Sequence, residues 1–236
     1  MELRQILQKK SNVLALVSFI AIVAISLMKS AMELEDAEQA YYSQWFRLGY
    51  DDQPPLYTWL QYVINSILGV TIVSFSLVRA IIFASIILAL YHFSKAYLKD
   101  ISKANLVVFS LAIIPVFIDF TFRRLSHTYL LCFAVVVTYM LLQNLISKKT
   151  ISNYILLGLV VAFGILTKYN YVMVIGAIAI ACFIDRNIRK ILWNKKIIIS
   201  IFIAGLLVTP HFYWLFSNKE YLTALSASVA LKTMVE

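Results

Sequence analysis

Six of the twelve carboxylates in this chain fall between Glu33 and Asp52. Glu33, Glu35, Asp36, Glu38, Asp51 and Asp52 share the stretch ELEDAEQAYYSQWFRLGYDDQPPLYTWL with seven aromatic residues, and Tyr62 just beyond it makes eight between Tyr41 and Tyr62. Any one of these acids, taken alone, reads as a solvated loop charge. Glu35 and Asp36 stand apart because they follow the first apolar run closely, at a poorly solvated membrane surface, where a carboxylate is suited to act as a general base. Adjacent side chains at a helix start diverge, so only one of the two can face a cavity. A second group carries the opposite charge. Arg123, Arg124 and His127 occupy FRRLSHTY, and Lys168 occupies LTKYN. Each alone fits a side chain snorkelling to lipid headgroups. Together they fit one shared phosphate site, because guanidinium, ammonium and imidazolium donors are what a phosphate leaving group requires.

The elements that position these groups follow from composition. The chain has 61% apolar and only 14% charged residues, with a mean hydropathy of +0.82, which excludes an ordinary soluble domain. The net charge of +9 does not point to nucleic acid, since the basic residues sit in short clusters between apolar runs rather than on one arm. Cys132 and Cys182 lie inside apolar runs and read as buried thiols.

A membrane helix needs about 20 mainly apolar residues, about 17 at the least. Asn12 to Lys29, Thr71 to Phe93, Ala104 to Phe120, His127 to Ile146 and Ile197 to Phe216 meet this, and Ile151 to Ile184 reads as two crossings that turn at Thr167 to Asn170. Leu56 to Val70 reads as an interfacial segment. The expected fold is therefore an all-α polytopic membrane protein with about seven transmembrane helices and an interfacial helical first outer loop. Thirteen of the 21 basic residues then lie on the N-terminal, cytoplasmic side and nine of the twelve acids on the other. Within the loop, Ala37 to Leu48 has helical spacing, and Gly49 with Pro54 and Pro55 ends it. Arg79 lies about 12 Å inside the second span at about 1.5 Å per residue, and Asp119 is a candidate partner. His211 reads as a satisfied histidine of the helix bundle. No metal-ligand spacing, P-loop or nucleophile elbow is present, so no cofactor is named and a divalent metal is left open.

LEDAEQAYYSQWFRLGYDDQPPLYTWLQ, RRLSHTY, GILTKYNYVM and TPHFYWLF resemble, in that order, motifs of the protein O-mannosyltransferase and aminoarabinose lipid A transferase group of the GT-C glycosyltransferases. The resemblance runs from about Glu33 to Phe216. It implies an enzyme of a bacterial inner membrane that moves a sugar from a polyprenyl-phosphate carrier to an acceptor hydroxyl of a lipid, glycan or protein, on the outer face and with inversion. It also implies that a first-loop acid, Glu35 or Asp36, activates the acceptor. Arg123, Arg124, His127 and Lys168 would hold the carrier phosphate, and Glu38, Asp52, Gln53 and Tyr169 would complete the substrate site. The family usually reads Asp-Glu where this chain has Glu35-Asp36, and lipid A transferases tend to carry Lys where it has Gln53. Residues 1–236 read as one membrane domain, the N-terminal module such enzymes share without their C-terminal part, with residues 30–70 as its outer loop. The competing class is a non-catalytic subunit, or a transporter or lipid-binding fragment. A transporter would place its polar residues near the midplane, whereas here they gather at one surface.

Overall fold

The structure, a computed structural model, describes residues 2–51, 53–115, 126–218 and 220–221. Its regular secondary structure among these residues is all helical. Arg123, Arg124, Asp52 and Asp119 lie outside them.

The apolar runs become α1 (Glu2–Leu27), α4 (Ile72–Leu98), α6 (Ser126–Ser147) and α10 (Ile197–Ser217), each long and apolar enough to cross a membrane. Between α4 and α6, α5 (Ile101–Ser110) runs into a 3-10 turn at Leu111–Ile113, and the expected third span is described only as far as Pro115. The 34-residue run divides as its charge predicts, into α7 (Ile151–Thr167) and α8 (Tyr171–Ile184), with the break at Lys168 to Asn170. At 14 residues α8 is about 21 Å long, short of the ~30 Å hydrocarbon core, and it bends by 118° into α9 (Arg186–Leu192). Four described helices are of spanning length, or five if the α8–α9 pair counts as one span, against the seven expected.

Local chemistry sets the ends. Thr71 and Ser74 form a reciprocal capping box at the start of α4, while the Asp100 and Asp185 carboxylates cap α5 and α9. Between α1 and α4 lie α2 (Leu34–Tyr42) and α3 (Leu56–Leu68). The segment expected to be interfacial is thus a separate 13-residue helix, stopped by Gly69 at φ 73°.

Both α1 and α5 pack on α4, from which packing runs on through α6 and α7 to α10, with α3 laid across α4, α6 and α7. Tyr57 of α3 is fully buried with Val78, Ile82, Tyr129 and Leu130, so α3 is the floor on which the outer loop rests. Helices α7 and α10 approach closely at Gly158, where a Cβ would stand 2.7 Å from the Ser200 carbonyl oxygen and 2.9 Å from its Cα. Gly158→Ala must therefore separate α7 from α10. We expect a loss of about 1–3 kcal/mol, read by thermal unfolding in detergent against Gly176→Ala, whose Cβ meets nothing within 4 Å.

Candidate active site on the first outer loop

Helix α2 carries the acidic pair, and its register decides what each acid meets. Asp36 faces inward, buried, and forms an ion pair with Arg79 of α4. The intramembrane arginine is thereby matched from 43 residues upstream, by Asp36. Glu35, one position earlier, is half-buried and near enough to Arg79 to interact with its charge. Glu38 is exposed and Gln53 half-buried.

The helix was expected over Ala37 to Leu48, but it begins at Leu34 and ends at Tyr42. The Ser43 hydroxyl donates back to the Gln39 carbonyl and accepts from Asn65 Nδ2 of α3 at 2.8 Å, which turns the chain away from the helix axis. Trp45 and Leu48 therefore sit in a folded loop rather than on a helix face. The loop has its own fastenings. Tyr50 Oη accepts the Arg47 N–H at 3.0 Å and donates to the Trp45 carbonyl at 2.6 Å, Trp59 Nε1 donates to the Arg47 carbonyl at 2.7 Å, and Tyr42 donates to Asp51 at 2.9 Å. Burial raises the pKa of Tyr50 above the ordinary phenol value, so it stays protonated in both bonds through neutral pH. Gly49 lies against Trp214 of α10, whose ring a Cβ would overlap at 2.0 Å.

The basic residues converge in part. Lys168 ends α7 and reaches back to α6, where Nζ donates to Thr128 Oγ1 at 2.9 Å. His127 sits beside that contact with its Nδ1 3.3 Å from the Thr167 carbonyl oxygen and its Nε2 3.4 Å from Gln39 Nε2. A carbonyl only accepts and an amide nitrogen only donates, so His127 is the neutral Nδ1–H tautomer. Its ring nitrogens are both spent on protein groups. Tyr169 points toward α10, its hydroxyl 2.9 Å from His211 Nε2. The geometry brings His127, Lys168 and Tyr169 to one turn, with Glu35 and Asp36 reached through Gln39 on the same helix.

Sequence reasoning passed over Gln39 and Thr58, which are buried and bonded to each other, Thr58 Oγ1 donating to Gln39 Oε1 at 2.9 Å. A signal was present: Gln39 is three residues after Asp36, on the same helix face. Among the described residues, no three His, Cys, Asp or Glu side chains cluster to hold a metal ion.

An all-helical membrane protein with an acidic loop after its first span, a buried acid–arginine pair and a lysine at the α7–α8 turn fits the GT-C type of glycosyltransferase. The profile of the family described as dolichyl-phosphate-mannose-protein mannosyltransferase matches residues 52–214, and this chain belongs to that family. The acidic pair lies just upstream of the matched residues. Two curated relatives come from Rhizobium johnstonii. The lipopolysaccharide core galacturonosyltransferase RgtB is 28% identical over 207 residues, covering 87% of this chain and 42% of its own length. The lipopolysaccharide core galacturonosyltransferase RgtA is 28% identical over 200 residues, covering 85% and 40%. The chain thus spans about two-fifths of the length of these relatives. No solved structure matches it.

Proposed function

We propose that this chain forms the acid-bearing part of a membrane glycosyltransferase that moves a sugar from a polyprenyl-phosphate carrier to an acceptor hydroxyl at the outer face of a bacterial inner membrane. The observation that carries the reading is the division of labour in the acidic pair. Asp36 is committed to Arg79, which leaves Glu35 half-buried at the loop surface to take a proton. In the reaction the acceptor oxygen attacks the anomeric carbon from the face opposite the carrier, and its proton passes to the Glu35 carboxylate. The bond from the anomeric carbon to the phosphate oxygen breaks with inversion, and the carrier leaves as a polyprenyl phosphate. Lys168, with Arg123 and Arg124, takes up the charge that develops on that phosphate. The resemblance assigns Glu38, Gln53 and Tyr169 to the sugar and acceptor, together with Asp52, which lies outside the described residues. His127 belongs to the framework under Lys168.

The relatives are named for galacturonosyl transfer and the family for mannosyl transfer, so galacturonate-bearing and mannose-bearing polyprenyl phosphates are the donors to test with the full-length protein in proteoliposomes. A charge-assisted contact to phosphate is worth about 1.5–3 kcal/mol. Lys168→Met should therefore raise the donor KM roughly 10- to 100-fold, at about 1.4 kcal/mol per decade. Unchanged kinetics with both donors would remove Lys168 from the donor site. Transfer that survives every acidic-pair substitution would take the base away from this loop, whereas a wild-type protein that transfers no sugar would favour the other reading, a non-catalytic lipid-binding subunit.

A further inference from the structure

Two buried histidines, far apart in sequence, make the same kind of connection. His127, near the start of α6, reaches the first outer loop through Nε2, at Gln39, and the α7–α8 turn through Nδ1, at the Thr167 carbonyl. His211 on α10 reaches the loop through Nδ1, 2.8 Å from the Leu48 carbonyl oxygen, and the same turn through Nε2, at the Tyr169 hydroxyl. The residues engaged on the turn are Thr167 and Tyr169, and Lys168 stands between them. On the loop they are Gln39 and Leu48, on either side of the bend at Ser43.

Each ring is also held by its faces. The Tyr57 ring lies 5.1 Å from that of His127. His211 is stacked between Tyr169 at 5.9 Å and Trp214 at 6.3 Å. His211 is 1% exposed and the Leu48 carbonyl accepts from its Nδ1–H, so the Tyr169 hydroxyl donates to Nε2 and the ring is neutral, in the tautomer His127 adopts. A neutral imidazole is suited to this work, since it offers one donor and one acceptor about 2.2 Å apart on a rigid ring.

From this we infer that His127 and His211 are positioning residues: two imidazole cross-ties that hold the acid-bearing loop and the Lys168 turn as one body. The inference rests on the glycosyltransferase reading, in which the base on the loop and the phosphate contact on the turn must keep a fixed separation across the reacting bond. Such a step loses about 100-fold from a displacement near 1 Å. Neither ring touches substrate in this role.

The test uses the full-length protein in lipid nanodiscs and has two readouts. Amide hydrogen exchange reads the tie without any substrate. In His211→Phe, which keeps the stacking and removes both bonds, exchange should rise about tenfold, the scale of one or two hydrogen bonds, in residues 43–50 and 168–171 together, while α4 keeps its protection. His127→Phe should do the same at residues 37–43 and 168–171. His127→Asn and His211→Asn each keep the Nδ1-side donor, and each should restore most of the protection on the side it still reaches. The second readout is transfer kinetics with the donors named above. Both Phe variants should lower kcat about tenfold or more, with the donor KM within about twofold, and the Asn variants should recover part of kcat. In either Phe variant, a rise confined to one side of its tie, or an unchanged kcat, would overturn the inference. Correlated exchange in a wild-type protein that transfers neither sugar would instead remove the glycosyltransferase reading and leave the cross-ties standing.

Discussion

Replacing Glu35 by Gln should lower transfer by about 10²–10⁴-fold, the range a positioned general base contributes, with donor binding nearly intact. The amide keeps the size of the side chain and one of its acceptor oxygens, so the loop keeps its course while the proton acceptor is lost. Asp36→Asn should behave differently. Its carboxylate is turned inward to Arg79, so its loss is felt first as instability and misplacement of α2. The two are separated by measuring kcat, donor binding and unfolding on each variant. Glu35→Gln should show low kcat at normal stability, and Asp36→Asn lowered stability with a kcat loss that follows it. A Glu35→Gln protein that turns over at the wild-type rate would take the base away from this position.

The second large effect concerns Arg79. Breaking a buried ion pair by removing one partner costs about 3–5 kcal/mol, because a charge is left without compensation in a low-dielectric site. Arg79 is 4% exposed and Asp36 8%, so Arg79→Met should fall in that range when unfolding is followed in detergent. Removing both charges is less harmful than removing one. Asp36→Asn combined with Arg79→Gln should recover a good part of the loss, since no net charge is then buried. If Arg79→Met is as stable as the wild type, the pair is not what holds α2 to the bundle.

The membrane helices were legible because apolar runs bounded by charge declare themselves without tertiary information. Lys168 divided the 34-residue run where the chain does turn, and His211 is the satisfied bundle histidine its surroundings suggested. Lengths were less legible. A residue count cannot show that α8 stops at Ile184 and bends by 118°, since the Asp185 cap that starts α9 is a local choice made against a continuing apolar pattern. The first loop was harder still. Its helix ends at Tyr42 because Ser43 finds a partner in Asn65, 22 residues on, and no periodicity carries that. Arg79 announced itself as needing an acid, and it meets Asp36, 43 residues upstream, while Asp119, the partner expected from the sequence, lies outside the described residues. In the first loop and at Arg79, what decided the outcome was a polar side chain meeting another across a long stretch of sequence.

Those long spans bear on how the protein is made. The Gln39–His127 contact joins residues 88 apart, and the His211–Leu48 contact joins residues 163 apart. A chain emerging from the ribosome finishes α2 and α3 long before His127 exists, and it makes five more apolar helices, α4 to α8, before His211 arrives. The acid motif is therefore written early and set late. A nascent chain halted within α8 would carry Glu35 on a loop with the first cross-tie and without the second. Both ties between the loop and the Lys168 turn are therefore in place only near the end of α10's insertion, so the early-made acid motif is fixed to that turn late in synthesis.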